Sequence, residues 1–181
     1  PEVRVGDLAA WRGGLTPSMN NSSFWDGGTI PWLSSKEITA SVLRQSSRFV
    51  TEEALISGGL KLIRAGAVAI VVRSGILTHS FPIAFVPFPT TVNQDIKIGE
   101  PGPEVDGRFL AYMLESRSQT LLNLYRKTGT TVQSINVPAL MDHKLPLPPL
   151  VVQRRIVDLM EHLDNQAARL RQEQEALQLL R

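Results

Sequence analysis

The chain has 181 residues, 43% hydrophobic and 20% charged, enough for one good globular core plus an appendage. It contains no cysteine, which excludes disulfides, thiolate catalysis and cysteine-ligated zinc and fits a reducing cytosol. Net charge is only +2, from 19 Lys/Arg against 17 Asp/Glu, so nucleic-acid binding would have to come from local patches, not from a basic tail.

In chain order, the opening stretch to Trp32 is dense in Gly, Ser, Asn, Thr and Pro yet carries Trp11, Phe24, Trp25 and Trp32. Turn formers interleaved with aromatics predict ordered loops between short strands. IPWLSSKEI reads as a strand entering a turn, with Ser34 or Ser35 capping a short helix and Glu37 in capping-box spacing from Ser34. Thr51 followed by Glu52-Glu53 resembles an N-cap, so EEALIS reads as a short helix stopped at Gly58-Gly59. The run AGAVAIVV is apolar on both parities and predicts a strand buried on both faces, ending abruptly at Arg73-Ser74-Gly75. FPIAFVPF, with its internal prolines, is an edge strand at best. TVNQDIKI reads as one short strand carrying Asn93-Gln94-Asp95 in its middle. RFLAYMLESRSQTLLNLYRK suits one or two packed helices ending near Gly129, and TTVQSINVPAL a loop or short strand.

Lys144 to Pro149 is stiffened by Pro146, Pro148 and Pro149, which hold it extended and let a helix begin only at or just after Pro149. From there to Arg181 no Gly or Pro appears. Ile156, Leu163, Leu170 and Leu177 recur every seven residues, and Met160, Ala167 and Gln174 follow at the alternate spacing. With Gln153 taken as a further weak position, this is a coiled-coil seam. A helix of that extent would run about 48 Å, longer than the domain's own core needs, and should find a partner.

The motifs that carry chemistry are absent. There is no P-loop, no G-x-S-x-G elbow, no H-E-x-x-H and no G-x-G-x-x-G. His79, His143 and His162 have no metal-ligand spacing, and Asp95-Ile96-Lys97 alone does not make a Mg²⁺ site. The longest apolar run, Ala65 to Val72, cannot span a bilayer, and the N-terminus lacks a signal-peptide layout, so no membrane role is expected. Pro1 is not an initiator, and the expectation is a trimmed chain.

The polar clusters offer donors beside turns. Arg73 and Ser74 follow a rigid strand, and Arg73 suits either bidentate contact with guanine or phosphate or a structural salt bridge. Asn93 and Gln94 could read adenine edges or cap a turn. Arg126, Lys127, Thr130 and Thr131 suit phosphate contact or simple C-capping. The tryptophans are read as core before base-stacking platforms, and Arg154-Arg155 as a solvated helix face.

Taken in order, W-x-G-G-x-T-P-S, F-W-D-G-G-T-I-P-W-L-S-S-K-E-I, V-R-S-G-I-L, P-I-A, N-Q-D-I-K, G-T-T-V-Q-S-I and L-P-L-P-P-L-x-x-Q-x-R-I-V closely resemble a specificity subunit of type I restriction-modification enzymes. The likeness runs from about Arg4 into the last helix. Such subunits carry two target recognition domains, each followed by a helix, and the two helices pack antiparallel as a spacer. One such unit is present here, either half of a longer subunit or a half-length version that dimerises.

The resemblance implies an α/β (α+β) target recognition domain over 1–149, with a short-stranded twisted sheet and packed helices. It places a spacer and dimerisation helix over 150–181, using Ile156, Met160, Leu163, Ala167, Leu170 and Leu177. It implies reading of one half of a split duplex DNA site, docking with methyltransferase and restriction-translocase subunits, and no catalysis. S-adenosylmethionine, ATP and Mg²⁺ would sit on those partners only, in the cytoplasm. The motif turns fall at Thr16 and Ser18, at Ser34, Ser35 and Lys36, at Arg73 and Ser74, at Asn93 and Gln94, and at Thr130, Thr131 and Gln133. They are expected to hold backbone or shape the fold. Bases are expected to be read by other segments, for example Arg44 to Arg48 or Thr78, His79 and Ser80. The competing expectation is an adaptor that self-associates through the terminal helix without binding DNA.

Overall fold

The computed structural model describes residues 1–127 and 132–179; the side chains of 176, 177 and 179 are outside that description, as are Thr130 and Thr131. Its centre is a four-stranded antiparallel sheet of β2 (Ala9–Gly13), β8 (Ile96–Pro101), β5 (Ala67–Val71) and β6 (Ile83–Val86), in that order. A second sheet orders β4 (Phe49–Val50), β3 (Ile30–Leu33) and β7 (Thr91–Val92), with β3 and β7 parallel. A third pairs β1 (Glu2–Arg4) with β9 (Lys144–Pro146).

Every residue of β5 is buried, and its alternation feeds two cores. Val68, Ile70 and Val72 join α1 (Val5–Leu8), α3 (Gly107–Glu115), α4 (Ser118–Tyr125) and α5 (Val137–Met141) on one face. Ala67, Ala69 and Val71 pack with Leu33, Ile38, Ile63 and Val92 on the other. A third cluster gathers Trp32, Val50, Ala54 and Leu60 around α2 (Glu52–Ile56). β6 is the last strand of its sheet, as the flanking Pro82 and Pro87 predict, and its outer side takes only a short parallel bridge from Val42 to Phe85.

Three expectations need correction, the last of them in the terminal helix. TVNQDIKI is two strands, because the Asn93 side chain accepts from the Asp95 N–H at 3.1 Å and breaks the extension with an Asx turn. The segment before the prolines holds a helix, α5, where Pro138 occupies the first turn and Asn136 caps Ala139 N; proline there starts a helix instead of excluding one.

The terminal helix α6 runs Leu150–Leu179, 30 residues or about 45 Å. Gln153 is not a seam residue. It is fully buried against its own domain, where its Oε1 accepts from Asp106 N (2.8 Å) and its Nε2 donates to Glu104 O (2.9 Å) and Pro148 O (2.8 Å). Val157 continues that stripe into the core, Glu161 pairs with Arg108, and Tyr112 donates to Asp164 at 3.2 Å. On the other side Ile156, Met160, Leu163 and Leu170 are exposed, as are Ala167 and Arg154-Arg155. Leu177 lies outside the described side chains.

Candidate nucleic-acid interface

Strand direction brings most of the polar turns to one end of the sheets. β2 runs out at Gly13 opposite Lys97, β5 runs out at Val71 opposite Ile96, and β6 begins at Ile83 beside Ile70. β3 and β7 run out together at Leu33 and Val92. Thr16, Ser34, Arg73, Thr78 and Asn93 to Asp95 therefore emerge from the same edge. The root of α6 is fastened to Asp106 and Glu104, beyond Pro101 at the opposite end of β8.

Within this end, Val72 N and Arg73 N donate to Asp95 O at 2.8 and 3.3 Å, Ile135 N donates to Val72 O at 2.9 Å, and Ser74 N donates to Gln133 O at 3.0 Å. The strand exit is clamped between two loops. Asn93 is buried, donates its backbone N–H to Leu33 O, and spends its side-chain amide on Asp95. Of the two roles open to it, the turn is the one it performs. Gln94 next to it is exposed, and among the described residues it is held only through its Oε1, which accepts from Thr16 Oγ1 at 2.8 Å. Arg73 is exposed, with its Nε 4.0 Å from an Asp95 oxygen, the outer limit of an ion pair and a weak restraint in water.

The turn before β6 is a 3₁₀ segment, Gly75–Thr78, capped by Ser74 Oγ, which accepts from Ile76 N. Thr78 turns its hydroxyl onto Gly75 O, and Arg126 donates to Thr78 O at 3.0 Å, so both side chains brace the turn. His79 and Lys127 stay exposed. Thr130 and Thr131 lie outside the described residues.

The excursion between β3 and β4 carries Ser35, Lys36, Arg44 and Arg48. Its anchor is Glu37, whose carboxylate accepts from Ser34 N at 3.0 Å across the capping box and from Ser47 N and Oγ at 2.8 and 2.7 Å. One acid thus closes both ends of the loop and neutralises none of its cations: among the described residues Lys36, Arg44 and Arg48 are exposed with no carboxylate in ion-pair range. Ser18 contributes its carbonyl, which accepts from Trp25 Nε1 at 3.0 Å. Trp32 is buried and Trp25 half-buried, stacked edge to face at 5.3 Å, so two of the three tryptophans belong to the loop's foundation. The capping spacing predicts one of Glu37's bonds; its reach to Ser47 depends on where the loop returns, which spacing does not encode.

Arg12 and Arg64 both grip Glu100, at 2.8 and 2.9 Å, toward the far end of β8. Burial pushes the Glu100 carboxyl up, but the bonds from Arg64 and the charge of Arg12 outweigh it and hold its pKa below the ordinary glutamate range. Among the described residues no three His, Asp or Glu side chains gather as a metal site, and no helix is long and apolar enough to cross a membrane.

Polar turns thus gather at one end of the sheets, and the root of the long helix α6 is fastened beyond the other. The chain belongs to the family of the type I restriction modification DNA specificity domain, whose model matches residues 2–179. It is 38% identical over 160 residues to the EcoR124I/EcoR124II type I restriction enzyme specificity subunit of Escherichia coli, covering 88% of this chain and 40% of that protein. It is 23% identical over 181 residues to the MjaIX specificity subunit of Methanocaldococcus jannaschii, again covering 40% of the relative. The chain thus spans about 40% of the length of these curated relatives. In fold it resembles the HsdS subunit of Thermoanaerobacter tengcongensis, with TM-score 0.65 at 20% identity over 96% of this chain and 39% of that one. A chain from a structure describing complex assembly and conformational transition of the type I R-M system superposes with TM-score 0.72 at 22% identity, over 94% and 39%.

Proposed function

We propose that this chain reads one half of a split duplex DNA site as a specificity component of a type I restriction-modification system, with α6 fixing the distance to the other half. The observation that carries this is the convergence of Arg73, Gln94, Lys36 and Arg48 on one end of the sheets, opposite the root of α6. Exposed cations without carboxylates supply salt-sensitive phosphate attraction, and Arg and Gln side chains on braced turns supply donors for base edges. The chain performs no chemistry in this reading; methyltransferase and translocase subunits in the cytoplasm bring S-adenosylmethionine, ATP and Mg²⁺.

The exposed stripe Ile156, Met160, Leu163 and Leu170 pairs antiparallel with a second copy or with the equivalent helix of a second recognition domain. At its root, Ile156 and Met160 line an apolar groove of about 540 Å³ with Phe109, Tyr112, Met113 and Leu147, which a packed helix would cover.

The test is a randomised-duplex selection with the methyltransferase subunits present. Enrichment of one half-site per copy is the expected result, and the absence of any enriched sequence overturns the proposal. An adaptor remains the second reading, favoured by the same stripe; it requires self-association that depends on residues 150–181 together with no affinity for DNA.

A further inference from the structure

Arg48 is held unlike any other cation at the interface. Its guanidinium lies 4.6 Å over the Trp25 ring and 5.0 Å over the Trp32 ring, and those rings meet at 84°. The indoles are themselves pinned, Trp25 Nε1 donating to Ser18 O at 3.0 Å and Trp32 Nε1 to Leu15 O at 3.2 Å. The Arg48 backbone is fixed as well: its carbonyl accepts from Trp32 N at 2.9 Å and from the buried Ser46 Oγ at 2.7 Å, and Glu37 ties the neighbouring Ser47. Yet the head is exposed, and among the described residues its side chain bonds only to the weak acceptor Met19 Sδ, at 3.7 Å.

A structural arginine ends on a carboxylate or on carbonyls. This one lies within cation–π range of two indoles set at 84° to each other, while most of its donors have no partner among the described residues, so part of its rotamer entropy is already lost before a ligand arrives. A fixed planar fork suits a pair of acceptors in one plane. On DNA that pair is offered by guanine O6 and N7 or by two phosphate oxygens. A phosphate accepts a mobile point charge equally well, and Lys36 and Arg44 supply such charges from the same loop without a seat; a fixed orientation serves base reading. We propose that Arg48 is a specificity-determining residue that reads a guanine edge in the half-site, with Glu37, Trp25 and Trp32 as its positioning residues. This rests on the DNA reading above.

The experiment repeats the duplex selection on the full chain with its methyltransferase partner, for wild type, Arg48→Lys and Glu37→Gln. Binding to the wild-type site is then titrated against salt, with thermal unfolding of each variant measured alongside. In the expected result the wild-type motif contains a guanine whose preference disappears in Arg48→Lys, with about ten- to a hundredfold weaker binding to the parent site and the other positions unchanged. Glu37→Gln weakens preference at that same guanine. Loss spread evenly over all sequences, with a salt slope smaller by about one, would mean a phosphate contact and overturn the assignment, as would an unaltered motif. A wild-type selection that enriches nothing overturns the DNA reading itself, and is distinct from a motif that simply ignores Arg48.

Discussion

Two neighbouring amides show how differently adjacent residues serve a turn. Asn93 is buried and closes the turn, whereas Gln94 is exposed and leans on Thr16. Asn93→Ala should cost about 2 kcal/mol by urea unfolding, because a buried turn loses its acceptor. Gln94→Ala should stay within about 0.5 kcal/mol, and its effect should appear in DNA binding. Gly14 shows why a motif glycine is needed: a Cβ there would fall inside the Val92 carbonyl, so the requirement is close approach and not a left-handed φ. Gly14→Ala should destabilise by about 3 kcal/mol or more, read in the same unfolding assay. Glu100 predicts a pH response. Its folded pKa is lowered, so its contribution is fully present above the ordinary glutamate range and disappears as pH falls through the lowered value. Glu100→Gln should flatten the acid limb of a thermal-stability profile while leaving the neutral range less stable than wild type.

At the scale of elements, local pattern carried most of the fold. The doubly buried β5, the edge strand β6, the short α2 behind Thr51 and the start of α6 after Pro149 were all legible, since each depends on residues next to one another. What was illegible depends on partners remote in the chain. β9 pairs with β1 across about 140 residues, and the seat of Arg48 joins the loop before β3, β3 itself and the return to β4. Gln153 is the sharpest case. Heptad spacing places it on the seam, but three hydrogen bonds to Asp106, Glu104 and Pro148 turn it inward. Replacing it with Ala strands those three backbone groups and should cost about 2–3 kcal/mol, with faster hydrogen exchange at Asp106 as the local signature.

For the molecule as a whole, the proposed reading assigns contacts to the end where β8 begins and separation to α6, whose root lies beyond its other end. Adding one heptad within the exposed part of α6, after Gln166, lengthens the helix by about 10.5 Å. The selected half-sites should keep their sequences while the gap between them changes; altered half-site bases would refute the division. The polar turns of the candidate site were legible as a set of motifs, and the strand directions supplied what motifs cannot, their gathering at one end of the sheets.

The buried amide of Gln153 also sets an angular tolerance. From it to Leu179 the helix extends about 39 Å, so a tilt of about 10° at the joint swings the far end by roughly 7 Å, the rise of two base pairs. A ruler is only as good as its hinge is stiff. A glutamine bonded three times inside the fold is therefore where the accuracy of the spacing would be kept, far from any base and without touching DNA.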